Sequence, residues 1–121
     1  MVWFHGGTHL SGQGHSLIFD GTSLAQRGVL VITVNYRLGP FGFLAHPVLS
    51  EAAQSGASGN YGLMDKVAAL SWIRDNVHSL GGNPENVTVF GQSAGSQSIC
   101  SLLTSPYGKG LFHKAIGQSA S

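Results

Sequence analysis

Charged residues are scarce in this sequence. Lys, Arg, Asp and Glu supply 9% of its 121 residues, whereas about 25% is usual for a globular domain. Disordered proteins combine high charge with low hydrophobicity, but 42% of this chain is hydrophobic. Six basic residues nearly balance five acidic ones, so the basic face of a nucleic-acid-binding protein is missing. These shortages predict a soluble, globular protein that does not bind nucleic acid.

Cysteine and long apolar runs are also missing. Cys100 is the only cysteine, which excludes an internal disulfide, and we expect it to lie in the core as a small apolar residue. The longest apolar run, residues 29–34 with Thr33 interrupting it, is far shorter than the about 20 residues that span a bilayer. No targeting signal is visible, so the compartment is not predicted. Four histidines lack the pair spacing of a metal site, and we expect neither a metal nor a cofactor: His9, His15, His46 and His78.

Glycine, by contrast, is abundant, with 18 residues, about twice the average share. Four of these glycines fall in residues 6–14, directly after a short apolar run at residues 2–5 that predicts a buried strand. Residues 20–27 predict a weak helix with Asp20 as its N-cap and Gly28 at its end. Residues 29–35 are a β-branched run without alternation, which is typical of a strand buried on both faces of a parallel sheet.

The rest of the chain continues the alternation of predicted strands and helices. Residues 37–62 have no sustained period and five glycines, so we expect a long irregular segment. Five apolar residues then share one helical face: Leu63, Val67, Leu70, Ile73 and Val77. A strand is predicted at residues 87–90, a helix at 96–103 and a further strand at 114–118. The fold class is therefore α/β, with a mostly parallel sheet of three or four strands and flanking helices.

A nucleophile elbow is the clearest chemical motif. Gly91, Gln92, Ser93, Ala94 and Gly95 match the pattern Gly-x-Ser-x-Gly. The pattern alone is weak in a glycine-rich chain, and its alternative is an ordinary glycine turn. A buried strand precedes it and a helix follows it, however, which is the arrangement that exposes a serine hydroxyl on a sharp, strained turn. We therefore expect Ser93 to be a nucleophile, with glycines at the two positions where side chains would collide with neighbouring elements.

A serine nucleophile also needs donors for the oxyanion that forms during acyl transfer. The segment after the first strand, His5-Gly6-Gly7, offers backbone N–H groups that no bulky side chain shields. Both loops follow strands of one predicted parallel sheet, and ligands of such sheets bind at the carboxyl ends of the strands. A dinucleotide loop is rejected, because Leu17 stands where that pattern requires a third glycine.

These residues resemble the type-B carboxylesterase and cholinesterase family of α/β hydrolases. The resemblance covers essentially the whole chain through a series of ordered blocks: Trp3-Phe4-His5-Gly6-Gly7, Val34-Asn35-Tyr36-Arg37-Leu38-Gly39, Gly42-Phe43-Leu44, Gly59 to Asp65, Trp72 to Asn76, Gly81 to Thr88, Gly91 to Gly95, and Gly110 to Ile116. The family resemblance implies a partial α/β-hydrolase fold in which the first strand lies between the second and third.

The resemblance also implies roles for individual residues. Ser93 is the acyl-accepting nucleophile, and the oxyanion donors are the backbone N–H groups of Gly7, Thr8 and Ala94, supported by Gly6, Gly91, Gln92 and Gly95. Two residues depart from the family pattern. Thr8 replaces a usual glycine, and its branched side chain tolerates unusual backbone angles poorly. Gln92 replaces a usual glutamate, so a carboxylate is lost, and we expect a reduced rate or an altered substrate preference.

The acid and the base of a catalytic triad are not found in this sequence. In α/β hydrolases they follow the serine, yet no Asp or Glu follows Ser93, and the single later histidine, His113, stands at a structural position by resemblance. His5 is expected to order its loop, and Asp65 and Asp75 to face solvent or form ion pairs. Family members are several times longer, so we expect residues 1–121 to be one partial domain, truncated at its C-terminus and at its N-terminus.

The predicted function is that of a serine carboxylesterase, a carboxylic ester hydrolase acting on a small-molecule ester through an acyl-enzyme. The fragment alone is expected to be inactive, because it lacks the acid and the base. Two alternatives remain open at this point. One is a non-catalytic relative that serves in binding or adhesion, and the other is a truncated product that does not fold stably alone because a cut sheet exposes an unpaired edge.

Overall fold

Four parallel strands form a single sheet in the computed structural model, which describes residues 1–120. The strands are β1 (Val2–Phe4), β2 (Ile32–Val34), β3 (Thr88–Gln92) and β4 (Lys114–Gln118), and their order across the sheet is β2-β1-β3-β4. The predicted α/β class is confirmed, with four strands. The first strand lies between the second and third, as the family resemblance implies.

Five α-helices connect or flank the strands: α1 (Thr22–Ala25), α2 (Gly39–Phe43), α3 (Pro47–Ala52), α4 (Tyr61–Asn76) and α5 (Ala94–Thr104). Short 3₁₀ turns lie at Leu17–Phe19, Val77–Leu80 and Pro106–Gly108. None of the helices within residues 1–120 combines the length and the apolarity that crossing a membrane requires. The predicted long helix and the helix after the elbow are both present, at α4 and α5.

The hydrophobic core joins the sheet to α4 and α5. Phe4 and Val89, from the two central strands, are fully buried against Leu70 of α4 and Ile99 of α5. Burying side chains of this size stabilises the fold by about 1.5–3 kcal/mol each. Parallel strands require crossover connections, and α4 lies in the long crossover that returns the chain from the β2 edge to β3.

Several predicted elements differ from those observed. Strand β2 is shorter than residues 29–35 and is not buried on both faces, since Thr33 is exposed. Cys100 is exposed and not part of the core, since the buried face of α5 carries Ile99 and Leu102. The core prediction for Cys100 was therefore wrong.

The segment at residues 37–62 is not irregular throughout, because it contains α2 and α3. Both helices begin with a proline in the first turn, Pro40 and Pro47, where the missing N–H has no helical partner to lose. The N-cap of α1 is Gly21, although the Asp20 carboxylate accepts hydrogen bonds from the backbone N–H and the hydroxyl of Thr22. These elements are one to two turns long, too short for a hydrophobic period to reveal them.

An ion pair ties the loop after β2 to helix α4. The Arg37 side chain donates to both carboxylate oxygens of Asp65, at 2.7 and 2.8 Å, and the Arg37 backbone N–H donates to the same carboxylate at 2.9 Å. Asp65 therefore forms an ion pair, one of the two roles expected from the sequence. The guanidinium hydrogen bonds hold the pKa of the Asp65 carboxyl below its usual value. The loop after β2 that this ion pair anchors also carries Tyr36, which packs beneath the predicted site.

This ion pair predicts a pH-dependent contribution to stability. A carboxyl whose pKa is lower in the folded state contributes stability above its unfolded pKa, about 3.9, and that contribution is lost as the pH falls through the folded pKa. We expect Asp65→Asn to lower the free energy of unfolding of the full-length protein at neutral pH, with the difference from the unchanged protein narrowing below about pH 4. Urea denaturation across this pH range measures it.

The matched control for this prediction is Asp75→Asn, because the Arg74–Asp75 pair is more exposed and solvent screens it. We expect Asp75→Asn to have the smaller effect at neutral pH. Equal effects of the two substitutions, or an Asp65→Asn deficit that stays constant down to about pH 3, contradict the structural role of the Arg37–Asp65 pair.

Candidate active site

The elbow lies where β3 ends and α5 begins. Ser93 stands between Gln92, the last residue of β3, and Ala94, the first residue of α5. Its backbone has φ 53° and ψ −123°, a conformation that side-chain-bearing residues rarely adopt and that costs about 1–3 kcal/mol. The sharp, strained turn expected from the sequence is therefore present at Ser93.

Close packing against β1 explains the two glycines of the elbow. A Cβ atom on Gly95 would overlap the carbonyl oxygen of Phe4, and a Cβ on Gly91 would lie 2.8 Å from the same oxygen. Real Cβ atoms do not approach that closely, so neither position accommodates a side chain without movement of the central strand. The collision anticipated from the sequence is thus with the backbone of β1.

The glycine loop after β1 is in contact with the elbow. A Cβ on Gly6 would lie 2.9 Å from the carbonyl oxygen of Gln92 and 3.2 Å from the Cβ of Ser93. Because β1 and β3 are adjacent and parallel, their carboxyl ends open at the same edge of the sheet. The structure therefore brings the predicted oxyanion loop and the predicted nucleophile together.

Hydrogen bonds fix the peptide units that carry the predicted oxyanion donors. The Gly6 carbonyl oxygen lies 2.7 Å from His5 Nδ1, and the Ser93 carbonyl accepts from the N–H of Gln97 at 2.9 Å. In a planar trans peptide the C=O and the next N–H point in opposite directions. Holding the Gly6 and Ser93 carbonyls therefore also holds the N–H groups of Gly7 and Ala94.

Thr8 stands where the family usually has a glycine, and its backbone is left-handed, with φ 55°. Its hydroxyl donates to the Gly7 carbonyl at 2.7 Å, and the same oxygen accepts from the N–H groups of Leu10 and Ser11 at 2.9 and 3.0 Å. The Gly7–Thr8 peptide is thus held by three donors, which orient the Thr8 N–H. A left-handed conformation is strained for a β-branched residue, and these local bonds offset that strain.

His5 lies beneath the loop and is almost completely buried, with 1% exposure. Its ring stacks on Tyr36 at a centroid distance of 4.4 Å, and the Tyr36 hydroxyl donates to the His5 carbonyl at 2.6 Å. Burial lowers the pKa of His5, the hydrogen bond to Gly6 opposes this, and the positive charge of Lys66 lowers the pKa further. His5 is therefore a neutral ring that contacts the loop from below.

Sequence reasoning missed Tyr36 and Lys66 as neighbours of the site. Tyr36 lies two residues beyond β2, and Lys66 lies on α4, with no exposed surface. Tyr36 occurs in a block of the family resemblance, which was a usable signal. Lys66 gives no such signal, because a lysine in a helix usually faces solvent.

His113 is remote from Ser93. It precedes β4 and its Nδ1 accepts from the Val87 N–H at 3.2 Å, at the amino end of the sheet. The five residues of β3 span about 16 Å, so His113 does not contact Ser93. Gln92 is exposed beside the elbow. Within residues 1–120, no group of three or more His, Cys, Asp or Glu side chains is arranged to hold a metal.

Comparisons with known proteins match the whole chain to esterases. Residues 1–121 match the carboxylesterase family. The para-nitrobenzyl esterase of Bacillus subtilis is 52% identical over 122 residues, which cover 100% of this chain and 24% of that protein. The fumonisin B1 esterase of Sphingopyxis macrogoltabida is 50% identical over 119 residues, which cover 98% of this chain and 22% of that protein.

Solved esterase structures also superpose on this chain. A Geobacillus stearothermophilus carboxylesterase superposes with a TM-score of 0.91 at 46% identity, covering 99% of this chain and 26% of that chain. A thermophilic PNB esterase superposes with a TM-score of 0.86 at 50% identity, covering 99% of this chain and 25% of the esterase chain. The sequence thus spans about a quarter of the relatives it matches, and its sheet is part of an α/β-hydrolase fold. The chain belongs to the carboxylesterase family.

Proposed function

We propose that this chain supplies the nucleophile and the oxyanion loop of a carboxylic ester hydrolase. The observation that carries the proposal is the strained backbone of Ser93, with φ 53°, in contact with the Gly6–Gly7 loop. Its relatives include a para-nitrobenzyl esterase and carboxylesterases, which supports esters as the substrate class. The substrate is therefore a small-molecule carboxylic ester, and the reaction needs no cofactor.

In the first half of the reaction, Ser93 Oγ forms a bond to the ester carbonyl carbon and passes its proton to a general base. The carbonyl π electrons move onto the carbonyl oxygen, which becomes an oxyanion. The backbone N–H groups of Gly7, Thr8 and Ala94 donate to that oxyanion. A single donor of this kind contributes about 2.7–4 kcal/mol to transition-state stabilisation, so three fixed donors form a substantial part of the catalytic effect.

Collapse of the tetrahedral intermediate breaks the bond to the alkoxy oxygen. The leaving alcohol takes the proton from the protonated base, and the acyl group remains on Ser93 as an ester. Water then attacks the acyl carbon, with its proton going to the same base. The bond to Ser93 Oγ breaks, the serine recovers a proton, and the carboxylic acid is released.

The base and its acidic partner lie outside these 121 residues in this proposal. No Asp or Glu follows Ser93, and His113 is held at the opposite end of the sheet. Residues 1–121 then form one partial domain, and the isolated chain is inactive as an ester hydrolase. A non-catalytic binding role is disfavoured, because such a role does not require the strained serine to be retained.

We predict that Ser93→Ala abolishes the activity of the full-length protein. Without Oγ no acyl-enzyme forms, so the pre-steady-state burst with p-nitrophenyl acetate should disappear and kcat should fall by about 10⁴-fold or more. The matched control is Ser101→Ala, because Ser101 lies exposed on the same helix α5. Its burst should be unchanged. Equal turnover by the Ser93→Ala variant and the unchanged protein refutes the nucleophile assignment.

Gly95→Ala should damage both the fold and the reaction. The added methyl group would overlap the Phe4 carbonyl oxygen, so β1 and the elbow must move apart. We expect the free energy of unfolding to fall by about 1–3 kcal/mol. We also expect kcat to fall at least tenfold, because the oxyanion loop and Ser93 are displaced relative to each other. The control is Gly56→Ala, where a Cβ meets nothing within 4 Å and the substitution adds backbone strain alone. Because Gly56→Ala also loses stability through backbone strain, ester turnover of the two variants measures the difference, and equal kcat values contradict the packing argument.

A further inference from the structure

Lys66 is a buried lysine whose ammonium has no carboxylate bonded to it within residues 1–120. Its side chain has 0% exposure, and its Nζ donates a long hydrogen bond, 3.4 Å, to the Gly62 carbonyl. The ammonium lies 3.1 Å from the centroid of the Tyr36 ring and 6.0 Å from that of Phe4. A desolvated cation is attracted to the electron-rich face of an aromatic ring. The π face of Tyr36 is thus the main partner of this charge.

Tyr36 connects Lys66 to His5. The Tyr36 and His5 rings stack with their planes 15° apart, and the Tyr36 hydroxyl donates to the His5 carbonyl at 2.6 Å. Lys66, Tyr36 and His5 thus form a continuous buried column from helix α4 to the end of β1. A change at the ammonium therefore alters the packing of the ring on which His5 rests.

His5 in turn controls the direction of one predicted oxyanion donor. The Gly6 carbonyl can only accept a hydrogen bond, so the proton on the His5 ring must be on Nδ1, 2.7 Å away. His5 Nε2 is buried and has no hydrogen-bond partner within residues 1–120. A second proton there would place an unpaired charge in the interior near Lys66, which is unfavourable. The neutral Nδ1–H tautomer thereby holds the Gly6–Gly7 peptide and its N–H.

We propose that Lys66 is a positioning residue for the reaction at Ser93. Its ammonium packs on Tyr36, the ring that supports His5, and thereby keeps the His5 Nδ1–H bonded to the Gly6 carbonyl and the Gly7 N–H directed at the oxyanion. This inference rests on the proposed function, since it assigns a support to the oxyanion loop. Lys66 touches no reacting atom in this scheme and acts through Tyr36 and His5.

The charges around Lys66 give the proposal a pH dependence. Burial lowers the pKa of Lys66 to about 7, and the negative charge of Asp65 opposes that shift. Asp65 is itself engaged by Arg37. Burial raises the pKa of Tyr36 to about 12, so its ring stays neutral. His9 also responds to Lys66, and its pKa is lowered by burial and by that charge.

These charges mean that the Lys66 ammonium is present at about pH 6 and is lost as the pH rises to about 9. The test compares Lys66→Met with the unchanged full-length protein, using kcat for p-nitrophenyl acetate across this range. We expect the kcat of the variant to be about tenfold lower at about pH 6, and the two values to converge at about pH 9, with KM changed less than about twofold.

Two controls separate positioning from folding. Lys109→Met removes an exposed lysine, and its kcat ratio to the unchanged protein should be one at every pH. Lys66→Arg retains a charge that is not lost below about pH 12; it should equal the unchanged protein at about pH 6 and exceed its kcat at about pH 9. A purely structural role predicts a ratio for Lys66→Met that does not vary with pH. If Lys66→Met does not fold, the Lys66→Arg profile decides alone.

The outcomes for Lys66 and for the proposed function can be told apart. Ser93-dependent turnover with pH-independent Lys66→Met and Lys66→Arg ratios overturns the role of Lys66 and leaves the esterase proposal intact. Absence of Ser93-dependent turnover in the unchanged full-length protein overturns both. A pH-dependent ratio together with Ser93-dependent turnover supports both proposals.

Discussion

The approach of the β1 backbone to the elbow is the constraint on which the rest of this structure depends. The Phe4 carbonyl oxygen lies so close to Gly91 and Gly95 that a side chain at either position would collide with it. The backbones of β1 and of the elbow are therefore in direct contact. This contact sets the distance between the glycine loop and Ser93. The contact requires β1 and β3 to be neighbours, as they are in the sheet.

The strain at Ser93 persists because its neighbours restrain it from several directions. Its N–H donates to the Gln118 carbonyl of β4 at 2.9 Å, and its carbonyl accepts from Gln97 in the first turn of α5 at 2.9 Å. Gly6 contacts it from the third side. A strained conformation survives only where surrounding structure over-determines it, and here a strand, a helix and a loop all contribute. The fold thus stabilises a serine conformation that the chain would not adopt on its own.

The sequence predicted this structure best where its patterns were long or chemically specific. The apolar period of α4, the strand before the elbow and the glycines at 91 and 95 all depend on local rules, and the observed elements agree. Short elements such as α2 and α3 carry too few residues for a period. Burial of Cys100 and Thr33 was mispredicted because it depends on which faces the assembled sheet covers. Lys66 could not be anticipated, since the Tyr36 ring that accommodates its charge comes from a distant loop. The catalytic roles of Ser93 and its neighbours stay predictions.

The hydrogen bonds of the glycine loop leave an asymmetry between donors and acceptors. The carbonyls of Gly6 and Gly7 accept bonds from within the chain, whereas the N–H groups of Gly7 and Thr8 have no acceptor among residues 1–120. Adjacent N–H groups of this kind form a concavity with positive electrostatic potential. A chain in which 9% of residues are charged thus offers a site of positive potential built from backbone N–H groups and not from charged side chains.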